Sequence, residues 1–159
     1  MSLDLNLGAA FDTAVDVDLA PWLPTALKVM SNDGTLIKAA DVLSPLDKQA
    51  VVKITNTRIA NVYNTLGKGV IPIGNQAVNT SGQSIFAELT ATASETIDTV
   101  EVLSPLVARI EVRLPNNGSM TDANVLTLVM ATLASMCDAD GTLQVLSMMR
   151  GVLFPVGNV

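Results

Sequence analysis

The chain has no histidine, a single cysteine and only five aromatic side chains among its 159 residues. Each shortage excludes something. Without histidine, a serine or cysteine nucleophile lacks its usual base, and no Cys/His metal site can be assembled. The lone Cys137 rules out a disulfide framework within one chain. Falling in an apolar stripe, it is expected to be a buried small hydrophobe. Gly67-Lys68-Gly69 lacks the glycine spacing and the following Ser or Thr of a phosphate loop. Asp138-Ala139-Asp140-Gly141 lacks the other ligand positions of a calcium loop and reads as a turn between helices. No enzyme activity and no cofactor is expected.

Charge is scarce as well, at 15% of residues with a net charge of −6. That balance argues against a protein whose whole surface binds nucleic acid. Asp4, Asp12, Asp16 and Asp18 crowd the first eighteen residues, which contain no base. The longest apolar stretch, Val125 to Cys137, is interrupted by Thr127, Thr132 and Ser135 and is too short to span a bilayer. No basic segment followed by an apolar run opens the chain, so the protein is expected to be made and kept in a cytoplasm, without a membrane partner. The sequons at Asn79 and Asn117 are then chance matches.

What the chain has in quantity is apolar residues, 49% of the total. A single domain spanning 1–159 can bury a sizeable core. So apolar a chain with so little charge is expected to turn part of its surface toward another subunit.

The first 115 residues read mainly as β structure. Ala14 to Leu19 alternates apolar residues with Asp, and Pro21, Trp22 and Pro24 interrupt it. Leu27 to Met30 and Thr35 to Lys38 flank Ser31-Asn32-Asp33-Gly34, and Asp-Gly between short strand-like runs signals a hairpin. Gln49 to Ile59 is a longer strand candidate. Residues 64–84, rich in glycine, imply turns with a short strand near Val70 to Ile73. Ser84 to Ala93 alternates clearly, a connection around Glu95 to Pro105 follows, with an extended stretch at Val100 to Leu103 as the alternative there, and Val107 to Leu114 is the cleanest strand of all.

The period then becomes helical over 121–154. Thr121 is the expected N-cap, with Asp122 in the first turn where a carboxylate suits the helix dipole. Val125, Leu128, Val129, Thr132, Leu133 and Met136 follow the helical spacing. A second helix is expected to start at Thr142, carry Leu143, Leu146, Met149 and Leu153 on one face, and close at Pro155. The fold class is therefore α+β, antiparallel strands followed by two helices.

In element order the chain resembles the coat proteins of single-stranded RNA bacteriophages, the levivirus group. The residues that carry the resemblance are the alternating Arg109 to Leu114, Pro115, the polar Asn116-Asn117-Gly118, the helix from Thr121 and the shorter helix ending near Arg150-Gly151. The resemblance implies an N-terminal hairpin, an antiparallel sheet, and two chains that pair their last strands across a two-fold axis. Each chain's helices would cover the partner's sheet, with Ala108, Ile110, Val112, Leu128, Leu133, Leu146 and Met149 in the dimer interface. Dimers would assemble into an icosahedral shell, a virion capsid made in the bacterial host cytoplasm. Loops at 64–84 and 95–105 would then meet between dimers. A tail or scaffold component without a nucleic-acid role is the alternative.

Alternation also assigns an uncovered sheet face. It carries Lys53, Thr55 and Thr57, then Thr90 and Thr92, then Arg109, Glu111 and Arg113. Cations neutralise phosphates, and hydroxyls bond sugar, phosphate or bases. The resemblance makes this the face that holds an RNA hairpin, with Lys53, Thr55, Thr57, Thr90, Thr92, Arg109 and Arg113 in contact. An ordinary solvated sheet face is the other reading, and Glu88 and Glu111 weaken the positive field. Arg58 falls outside the alternation, and Tyr63 and Phe86 offer rings that could stack on bases.

Overall fold

A computed structural model describes residues 19–24, 26–65, 70–138 and 140–151. They fall into two compact units, one of strands up to Asn116 and one of helices from Asn117 onward. The fold is α+β, with a five-stranded antiparallel sheet and three helices, two of them C-terminal. The strand expected at 14–19 lies outside the described residues up to 18. Leu19 itself leads into a 3-10 turn at Ala20–Trp22, and Gly67-Lys68-Gly69 and Pro155 also lie outside them.

The sheet is a meander in chain order: β1 (Leu27–Asn32), β2 (Leu36–Asp41), β3 (Val51–Ile59), β4 (Gly82–Ile97) and β5 (Val100–Pro115). The hairpin at Asp33-Gly34 closes as the sequence suggests. Gly34 takes φ +91°, and Asp33 Oδ1 accepts from the backbone N–H of Thr35 (2.9 Å) and of Leu36 (2.7 Å). Between Val29 and Ser31 the β1–β2 register shifts by one residue. This bulge puts Lys28 and Ser31, three residues apart, on the same face.

Two expectations are corrected here. The segment 95–105 is not a connection, because β4 and β5 each run sixteen residues and meet at a two-residue turn. Asp98 and Thr99 both have positive φ, 47° and 73°, which gives the twist that suits a tight hairpin. Pro105 disguised the strand, but it sits opposite Thr92 on the sheet's edge strand, where a missing N–H is tolerated. Past Thr90 and Val107, whose neighbour Val51 begins β3, the two strands continue as an arm without a third. The short strand expected at 70–73 is also absent. That stretch is a turn followed by a 3-10 turn at Ile73–Asn75.

The 60–81 connection is held by side chains. Asn61 Oδ1 accepts from the N–H of Tyr63 and of Asn64 at the start of α1 (Val62–Thr65), and the Tyr63 hydroxyl accepts from Ala77 N–H at 2.8 Å. Val62 is buried against Gly82 at the start of β4. Among the described residues only Ala39, Ala40, Val62 and Gly82 are buried.

In the helical unit, α2 (Asp122–Ala134) begins at Thr121 as expected. A reciprocal cap forms there: Asn124 N–H donates to Thr121 Oγ1, and Asn124 Oδ1 accepts from Thr121 N–H. Helix α3 (Val145–Met149) is shorter than expected and starts after Gln144, not at Thr142. Thr142 is instead part of the interhelical turn, where Asp138 Oδ1 accepts from its N–H and Asp138 Oδ2 accepts from Gln144 Nε2. Cys137 lies just past α2, half-buried, in an isolated bridge to Leu143.

Candidate nucleic-acid interface

Strand pairing decides which side chains share a face. Ser31, Lys38, Lys53, Glu88 and Arg109 form one row across β1 to β5. The next row holds Leu36, Thr55, Phe86 and Glu111, and the one after it Thr57, Ser84 and Arg113. On the other side of the first row lie Lys28, Ala40, Val51, Thr90 and Val107, with Thr92 beyond on the arm. The register thus brings Lys53, Thr55, Thr57, Thr90, Thr92, Arg109 and Arg113 onto one face. It adds Lys28, Lys38, Ser31 and Ser84, which sequence reasoning missed.

This face is where the chain's positive charge gathers. Over its five-stranded part stand Lys28, Lys38, Lys53, Arg109 and Arg113, five of nine basic residues, against Glu88 and Glu111, two of fifteen acidic ones. A protein of net charge −6 therefore presents a locally cationic surface. Arg58 pairs with Gln83 and points to the opposite face.

The two arginines are already engaged. Arg109 Nε donates to Glu88 Oε2 at 2.8 Å, and Arg113 Nε donates to Glu111 Oε1 at 2.8 Å, where Ser84 Oγ also donates. The Arg113 bond, and after it the Ser84 hydroxyl, hold the Glu111 carboxyl below its usual range, and the Arg113 guanidinium is pushed up in return. Lys38 and Lys53 stand directly opposite one another across β2 and β3. Neither makes an ion pair among the described residues. Like charges directly opposite repel, and an anion between them relieves that cost.

The opposite face is apolar. Val29, Ile37, Ile54, Ile85, Leu89 and Ile110 share it and are exposed. Of the residues expected in a dimer interface, Ala108, Ile110 and Val112 lie here on β5, Ile110 51% exposed. In the helices, Leu128 is half-buried, while Leu133, Leu146 and Met149 are exposed. Strand β5 pairs only with β4, so its outer edge is unpaired among the described residues. Among those residues no group of three or more His, Cys, Asp or Glu could hold a metal, and no helix is long and apolar enough to cross a membrane.

No protein-family model matches the chain, and no curated protein sequence does. Solved structures do. A chain from the virus-like particle of bacteriophage AVE015 matches at TM-score 0.78 and 18% identity over 98% of each chain. One from the virus-like particle of bacteriophage GQ-112 matches at TM-score 0.64 and 16% identity, over 86% of this chain and 85% of that one. At those identities the likeness is one of architecture: the chain has the fold of these bacteriophage virus-like-particle proteins.

Proposed function

We propose that the chain is a bacteriophage coat protein of the single-stranded RNA type, a single coat subunit that is not an enzyme and needs no cofactor. It dimerises, assembles with further copies into an icosahedral shell, and packages single-stranded RNA against its cationic sheet face. The observation that carries this reading is the Lys38–Lys53 pair within a face that concentrates positive charge, on a fold shared with virus-like-particle proteins. Two opposed lysines that form no ion pair among the described residues, although Glu88 flanks Lys53 on β4, suit a polyphosphate.

The other features support assembly. An exposed sixteen-residue edge strand invites aggregation unless something pairs with it. Pairing β5 with its symmetry mate closes that edge, and helices of the partner covering the apolar face give Ile85, Leu89 and Ile110 a dry neighbour. The β4–β5 arm, with Val100, Val102, Leu103 and Leu106 exposed, supplies contacts between dimers. The mature location is the virion, after synthesis in the bacterial host.

Expression of the chain alone, followed by size exclusion and negative-stain microscopy, tests this. Spherical particles that contain host RNA are expected. A population made only of small soluble dimers, over a range of salt and added RNA, would overturn it. Tubes or rings free of nucleic acid would instead assign a tail or scaffold role.

A further inference from the structure

The sheet's single aromatic residue, Phe86, lies on the wrong face for a core side chain. Its neighbours along β4, Ile85 and Ala87, point to the apolar face with Ile54 and Ile110. Phe86 points to the cationic face, paired with Thr55 on β3 and Glu111 on β5. The next residues along its own strand on that face are Ser84 and Glu88. The only apolar side chain in its row, Leu36, is two strands away, about 10 Å. A phenyl ring among hydroxyls and charges forgoes the burial that the opposite face offers. It is half-buried, so part of its surface meets solvent.

The surroundings suit a nucleobase. Lys53 and Arg109 occupy the row on one side of Phe86, and Arg113 with Thr57 and Ser84 the row on the other. A base lying on the ring would have cations on both sides for the phosphates that flank it. The Glu111 carboxylate beside the ring already accepts from Ser84 and Arg113, which moderates its repulsion of a phosphate. Aromatic rings accept the π-face of any base, but only of a base that has left its own stack.

We infer that Phe86 is the stacking platform for one unpaired base of the bound nucleic acid, so that this face favours single-stranded over duplex RNA. The inference rests on the RNA-binding reading above and goes further, to the feature of RNA that is recognised.

The test uses the full chain with two probes: a single-stranded RNA of about twelve nucleotides carrying one 2-aminopurine, and the blunt duplex of the same sequence. Wild-type protein should bind the single strand about tenfold more tightly at equal salt and change its 2-aminopurine fluorescence as the base stacks. Phe86→Leu, which keeps apolar bulk but removes the π-face, should lose most of that preference while duplex affinity holds. Phe86→Tyr should keep it. An unchanged single-strand preference in Phe86→Leu, or wild-type binding without a fluorescence change, overturns the inference and leaves the RNA-binding reading standing. No binding of either probe by wild type overturns both. Should Phe86→Leu fail to fold, the wild-type fluorescence and Phe86→Tyr decide alone.

Discussion

Arg109 lies directly opposite Glu88 across β4 and β5, and its Nε donates to Glu88 Oε2 at 2.8 Å. The arginine side chain is 65% exposed, so the pair is an open one and contributes at most about 1 kcal/mol to stability. Its larger effect is on the field of the face: if the proposed RNA binding holds, Glu88 occupies an arginine that would otherwise be open to phosphate. Glu88→Gln should therefore raise RNA affinity severalfold with little change in melting temperature. Fluorescence anisotropy with a short single-stranded RNA measures this, and a weaker complex would show that Glu88 helps binding.

Lys38 and Lys53 are expected to contribute directly, since no carboxylate engages them among the described residues. Each phosphate contact on a single strand contributes about 0.7 to the slope of log K against log salt. The double variant Lys38→Ala/Lys53→Ala should lower that slope by about 1.4 and reduce the RNA packaged per particle. Arg58→Ala, on the opposite face, should leave the slope unchanged. Equal effects from Arg58→Ala would place binding elsewhere.

Gly82 has no room for a side chain. A Cβ there would clash with the Leu114 carbonyl oxygen and with Val62 Cγ1. The Val62 methyl can turn away, but the backbone oxygen belongs to the β4–β5 ladder and cannot. Gly82→Ala should destabilise the fold by about 1–3 kcal/mol, as overpacking typically does. That corresponds to a fall in melting temperature of roughly 3–10 °C for a chain of this size. An unchanged melting temperature would mean that the ladder shifts freely there.

Asp33 gives the β1–β2 turn an acid-sensitive contribution. The backbone N–H of Thr35, then that of Leu36, then the Thr35 hydroxyl, hold its carboxyl below the ordinary aspartate range. A folded-state value below the unfolded one means stability that is fully present above about pH 4 and lost as pH falls through the folded value. Asp33→Asn should show a shallower loss of stability between pH 4 and 2 than wild type. Denaturant titrations across that range check it, and parallel curves would remove Asp33 from the acid response.

Lys48, in the 3-10 turn Leu46–Lys48, forms an ion pair with Glu101 near the start of β5. Lys48 Nζ donates to Glu101 Oε1, and that bond raises the lysine's pKa. This pair ties the arm to the loop after β2. Glu101→Gln should speed amide hydrogen exchange over 91–97 and 100–106 and leave β2 and β3 unaffected. Exchange rates identical to wild type in the arm would show that the ladder alone holds it.

Much of the sheet could be seen in the chain itself. The alternation in 49–59, 84–93 and 107–114 identifies the strands that became β3, β4 and β5, and Asp33-Gly34 marks the first hairpin. Thr121 was legible because an N-cap is a local event within one helical turn. The far half of the β4–β5 hairpin was legible only at Val100 to Leu103. Its alternation uses small and polar residues such as Ala91, Thr92, Ala93 and Ser94, Pro105 looks like a breaker, and Asp98-Thr99 lacks the glycine of a typical two-residue turn. The α3 start was misplaced because Thr142, a good cap by composition, is engaged by Asp138.

The side-chain period alone determined that Arg109, Glu111 and Arg113 share one face of their strand and Ala108, Ile110 and Val112 the other, because that period is a property of any extended chain. The lack of histidine likewise made enzymatic chemistry a poor expectation before any fold was known. Which residues meet across strands was decided only by tertiary pairing. Lys38 faces Lys53 and Arg109 faces Glu88 because of a register set over separations of fifteen and twenty-one residues, and Lys28 joins the cationic face only through the bulge at Met30. Register reflects the summed fit of whole strands, so no local stretch of sequence encodes it.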